Sequence, residues 1–100
     1  MYRLTTPTHT FTLPFECETI RELVVSYGQN NTEVLSKRIA DCVLEGSTVV
    51  VHLTQAETKL FTPDVPVDIQ IRVLTKQGNA LASVKYKVQC EDVLNDEVLS

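Results

Sequence analysis

The sequence predicts an all-β fold, an antiparallel β-sandwich with its aliphatic side chains stacked between two layers. Three observations carry this. Val67-Asp68-Ile69-Gln70-Ile71-Arg72-Val73 alternates apolar and polar residues without interruption. Thr75-Lys76-Gln77-Gly78-Asn79 breaks that run, and Ala80 to Val88 then alternates again. Elsewhere, short β-branched segments are separated by turn formers. Successive side chains on a strand point to opposite faces, so two such runs around a turn read as a hairpin with one buried and one wet face.

The elements follow in order. Thr5-Thr6-Pro7 opens with turn chemistry, because the residue before proline is pushed into extended backbone. Thr8 to Leu13 is a first strand with His9, Phe11 and Leu13 on one face; Pro14 ends it, having no N–H for a ladder. Phe15 to Glu18 connects to a second strand, Ile20 to Tyr27, with Leu23, Val25 and Tyr27 on one face. A helix over Thr19 to Val25 is the alternative, since Thr19-Ile20-Arg21-Glu22 has the form of a capping box; Val24-Val25-Ser26-Tyr27 favours the strand. Gly28 to Asn31 reads as a loop, leading into a third strand over Thr32 to Ile39 that pairs with the second.

Ala40 to Leu44 is a short fourth segment, and Glu45-Gly46-Ser47 a turn. Thr48 to Leu53 is a β-branched strand with Val49, Val51 and Leu53 inward. Thr54-Gln55-Ala56-Glu57 matches a capping box and starts a short helical turn near residues 55–61, stopped by Pro63 and Pro66. Leu60 and Phe61 are expected to close one end of the core. The total is about seven strands, and a brief helical crossover before the penultimate strand is a habit of immunoglobulin-like domains. The sequence reads as free of internal repeats.

At 100 residues the chain reads as a single domain over 1–100, long enough to hold a core without staples. Residues 91–100 are either a C-terminal arm that docks on a neighbouring subunit or a frayed, solvated tail. Leu94 and Val98, four apart, would share a face if this segment were helical. No apolar run approaches the roughly 20 residues of a membrane helix, and no signal-peptide core is visible near Met1, so the expectation is a cytoplasmic protein without a membrane partner.

The formal charge is −4, and the basic residues are scattered, with only Lys37-Arg38 adjacent. A phosphate backbone requires a concentrated basic surface, so nucleic acid is not an expected partner. The three cysteines, Cys17, Cys42 and Cys90, are odd in number and widely spaced, which is neither a disulfide framework nor a zinc knuckle. Cys42, before Val43-Leu44, and Cys90, close to Val88, read as small core residues; Cys17 lies between two glutamates that disfavour a thiolate.

His9 and His52 are the only histidines, and no HExxH, GxSxG, Walker loop or GxGxxG occurs. A Cys–His dyad would need thiol and imidazole within about 3–4 Å, a matter of folding rather than spacing. No catalytic, metal or cofactor residues are assigned, and the expectation is a protein that is not an enzyme. The partner-interface candidates are Val24 and Val50, aliphatics on the polar faces of their strands that either a loop or a partner covers, together with Leu94 and Val98.

Several segments carry a family resemblance. Thr6-Pro7-Thr8-His9-Thr10-Phe11-Thr12-Leu13-Pro14-Phe15 resembles the opening of small structural proteins encoded in prophages of Gram-positive bacteria. The resemblance continues through Val51 to Phe61, Ile69 to Thr75 and Leu94 to Leu99. The strand pattern is also similar to the immunoglobulin-like N-terminal domain of phage baseplate upper proteins. The resemblance implies a tail or baseplate module without catalytic residues. Its partners would be other phage structural proteins and further copies of itself, and its location the host cytoplasm during assembly and then the virion. The alternative is a carbohydrate- or host-surface-binding sandwich. The six aromatics include no Trp, which provides poorly for sugar stacking.

Overall fold

The computed structural model describes residues 1–83 and 85–100. Val84, which the sequence places in the second arm of the last hairpin, lies outside the described residues. The chain folds as an antiparallel all-β sandwich of two sheets. One sheet has the order β1-β5-β4, built from Thr8–Thr12, Thr48–His52 and Cys42–Glu45. The other has the order β3-β2-β6-β7, built from Thr32–Arg38, Ile20–Gln29, Val67–Thr75 and Ala80–Ala82, and β8 (Tyr86–Val88) also pairs with β6. Single 3-10 turns at Cys17–Thr19 and Ile39–Asp41, and the short helix α1 (Gln55–Thr58), link the layers.

The two-residue period decides the inner faces. Leu23, Val25 and Tyr27 of β2 and Val67, Ile69, Ile71 and Val73 of β6 line one layer. Val49, Val51 and Leu53 line the other. Burying such side chains contributes on the order of 1.5–3 kcal/mol each, and this contiguous layer is the main source of stability. Cys17 and Cys90 are buried within it and Cys42 packs at its margin, which fits their role as small hydrophobes.

Where residues depart from strict alternation, the backbone or a polar side chain explains it. β2 continues two residues into the expected loop, to Gln29, and the turn contracts to Asn30 and Asn31, with φ of 52° and 60°. Two positive φ values are what a tight hairpin turn needs, and asparagine tolerates them. A bulge between Tyr27 and Gly28 brings the Thr32 carbonyl so close that a Cβ on Gly28 would lie 2.9 Å from it. Only glycine fits there.

The second arm of the last hairpin is split. Ala82 pairs with Arg72 and Tyr86 with Ile69, so one extra residue intervenes. Ser83 sits at this bulge: its N–H donates to the Ile71 carbonyl and its hydroxyl accepts from the Ile71 N–H. The bulge flips side-chain parity. Leu81 and Tyr86 therefore both fall on the side of Val73 and Ile69, although strict alternation would separate them.

The capping box at α1 forms as expected: Thr54 Oγ1 accepts from Glu57 N–H, and Glu57 Oε1 accepts from Thr54 N–H. Glu57 also meets Lys37 at 2.6 Å. Lys37 points inward from edge strand β3, a device that discourages sheet-edge pairing. Burial opposes the charge on Glu57, but the Lys37 ammonium and the Thr54 amide outweigh it and hold the carboxyl below its usual range. After α1, Phe61 enters the core while Leu60 turns outward, so only one of the two residues expected to close the core does so.

Candidate functional site

The two histidines lie on opposite faces of the smaller sheet. His9 faces inward, with Nδ1 2.8 Å from the Tyr27 hydroxyl. His52 faces outward, with Nδ1 2.8 Å from Thr8 Oγ1. Cys42 shares a row with His9, but Val51 stands between them, so the two are separated by two strand spacings, about 9–10 Å. Cys17 donates to the Thr48 carbonyl instead, at 3.4 Å. All three thiols are pushed up by burial, with Glu16 adding to the effect at Cys17 and Asp41 at Cys42. Among the described residues, no three His, Cys, Asp or Glu side chains are grouped to hold a metal ion.

Burial also lowers the pKa of His9, with a smaller contribution from the terminal ammonium. The unfolded chain therefore takes up this proton first as pH falls. The stability linked to neutral His9 is complete above about 6.5 and is lost as pH drops toward the lowered folded value. Thermal melts between pH 8 and pH 5.5 should show this decline, and His9→Gln should flatten it. An unchanged slope in the variant would assign the decline to other groups. Tyr27 is held protonated, because burial raises its pKa.

The interface candidates do not form one patch. Val24 lies on the outer face of the larger sheet, opposite Arg38 on β3 and Arg72 on β6. Val50 lies on the outer face of the smaller sheet, between Thr10 and the exposed Val43. The two valines thus face opposite sides of the sandwich. Leu94 and Val98 lie on the terminal segment, where Leu94 is fully exposed, Leu99 largely so and Val98 about half exposed.

That segment is not helical, so Leu94 and Val98 share no helix face. The Asp92 carboxylate accepts from the Val93 N–H, and the Asn95 amide oxygen accepts from the Glu97 N–H. Such local bonds divert donors from a helix, and a segment this short is a marginal helix in any case. The Gln55 side chain holds the far end: its amide donates to the Leu99 carbonyl at 2.9 Å and accepts from the Leu99 N–H at 2.8 Å. The near end is fixed by Arg3, whose guanidinium meets Asp92 at 2.6 Å. Between these anchors, Leu94 projects fully into solvent and Val98 is about half exposed.

The opening residues are pinned to the domain. Arg3 N–H donates to the Glu91 carbonyl and Glu91 N–H to the Met1 carbonyl, making a short parallel pairing. Thr58 Oγ1 accepts from the Thr5 N–H and donates to the Thr5 carbonyl, and Leu4 is buried.

Two concavities accompany these features. One, of about 260 Å³, is an apolar groove between Leu13-Pro14-Phe15 and Leu81. The other, of about 210 Å³, is the hollow around Val24, rimmed by Arg38 and Arg72. Of the aromatics, Tyr27 and Phe61 are buried, and Phe11 packs on Tyr86 at 5.7 Å between ring centres. Tyr2 and Tyr86 are the exposed ones. The Arg38–Val24–Arg72 row escaped the sequence reading because it depends on the register of three strands. The side-chain clamps of Gln29 and Gln55 escaped it because an amide that binds backbone has no periodic signature. No family model matches the chain, and comparisons with curated proteins and with solved structures returned no significant match.

Proposed function

We propose that this domain is a non-catalytic phage or prophage structural module of the tail or baseplate type, working through protein–protein contacts. The observation that carries the reading is the terminal segment. Leu94, Val98 and Leu99 are exposed on an extended stretch anchored at Arg3 and Gln55. Clustered exposed aliphatics gain by being covered, and a partner surface is the means open to a non-helical arm. The rigid sandwich behind it supplies the platform, and the resemblance of the opening and closing segments to prophage structural proteins supplies the class.

Light scattering coupled to size-exclusion chromatography, on the protein alone and mixed with tail proteins, tests this. A strict monomer that binds none of them would overturn it. Deleting residues 93–100 should reduce assembly at least tenfold while lowering the melting temperature by only a few degrees, since the segment contributes nothing to the core. Assembly that survives the deletion unchanged would remove the arm from the reading.

A further inference from the structure

The terminal segment carries a short duplication. Glu91-Asp92-Val93-Leu94-Asn95 is followed directly by Asp96-Glu97-Val98-Leu99-Ser100, each unit being two acids, then Val-Leu, then a small polar residue. At only five residues per unit, the repeat is too short to mark a repeating fold. The structure treats the two copies differently. In the first, an arginine of the same chain, Arg3, grips Asp92 at 2.6 Å. In the second, Asp96 and Glu97 make no ion pair among the described residues, and Val98 and Leu99 are exposed.

The outer face of the larger sheet offers the complementary chemistry. Arg38 and Arg72 flank Val24 in a single cross-strand row, both exposed and both without an ion pair among the described residues. Leu74 and Ala80 extend the apolar floor of the hollow, and Glu22 closes one end. Two guanidiniums against one carboxylate leave the hollow positive on a chain whose net charge is −4. Planar guanidinium groups suit carboxylate recognition, and the aliphatic floor suits a Val-Leu pair.

We propose that the second acidic-aliphatic unit of one copy docks in this hollow on a second copy. Asp96 and Glu97 meet Arg38 and Arg72, and Val98 and Leu99 cover Val24 and Leu74. This rests on the assembly reading above and names its contact. The arm and the hollow are different surfaces, so copies join either by reciprocal arm exchange in a two-fold dimer or head-to-tail in rings or open filaments.

Sedimentation velocity over a concentration series, at low and high salt, tests the pairing with three variants. These are Arg38→Glu with Arg72→Glu, Asp96→Lys with Glu97→Lys, and the four changes combined. The wild type should self-associate, less so at high salt. Each half-variant should associate roughly tenfold more weakly or worse, and the combined variant should recover most of the loss. Circular dichroism checks that the sheet is intact, and the arm variant lies outside the core in any case. Association unaffected by either half-variant would overturn the proposed contact while leaving the assembly reading standing. A combined variant that stays dissociated would overturn direct pairing. A wild type that is monomeric at every concentration would overturn the contact as well, and only its failure to bind tail proteins would remove the assembly reading with it.

Discussion

Replacing Gln29 with leucine is expected to cost about 3 kcal/mol of stability, a large share of what a domain of this size has. Leucine is close in size, so the loss is polar rather than steric. The Gln29 amide donates to the Thr62 carbonyl at 2.8 Å and to the Val65 carbonyl at 2.9 Å, and its oxygen accepts from the Thr62 N–H at 2.8 Å. These bonds clamp the connection that carries Pro63, Asp64 and Pro66 from α1 to β6, where Asp64 has a φ of 64°. With leucine, three backbone groups near the core lose their partner. Gln29→Glu should be at least as damaging, because it presents a carboxylate to two carbonyl oxygens. At about 4–8 °C per kcal/mol for a domain of this length, melting should fall by roughly 12–24 °C. A fall of under about 4 °C by calorimetry would mean that the connection holds itself in place.

Phe61→Ala should destabilise the domain by about 3–5 kcal/mol, whereas Leu60→Ala should change it by no more than about 0.5 kcal/mol. The two residues are adjacent and similar in hydrophobicity. Phe61 is 1% exposed, with its ring 6.2 Å from that of Tyr27, and removing it opens a cavity between the layers. Leu60 is 59% exposed and loses little on truncation. Urea unfolding of both variants gives the comparison, with a shifted midpoint at unchanged slope for Phe61→Ala. Equal effects from the two would mean that Leu60 is covered in solution by a partner or a second copy.

The strands were legible where one face is buried and the other wet. β1, β2, β5 and β6 show their inward residues directly, because a slip of one position would expose every aliphatic side chain. The capping box at Thr54 was equally plain, since it is local chemistry. What escaped is what long-range contact decides. Ser83 splits the final strand through its bonds to Ile71, and no pattern within residues 80–88 marks that. Leu60 and Phe61 look alike in sequence, and only the direction in which α1 ends separates them. Val24, Val50, Leu94 and Val98 were readable as aliphatics out of place, but their placement on two opposite sheet faces and one extended tail was not. The basic row beside Val24 joins the neighbouring strands β2 and β3 to β6, which lies much further along the chain.

The parallel seam between residues 1–3 and 89–92 bears on how the molecule is born. Residues 1–3 are synthesised long before residues 89–92 and have no backbone partner there until those follow. The hairpin of β2 and β3, closed by two asparagines, can form long before then. Nascent chains should therefore expose Leu4 and one margin of the core during much of translation, a window in which a chaperone or a sister copy emerging alongside would find apolar surface that the finished domain conceals.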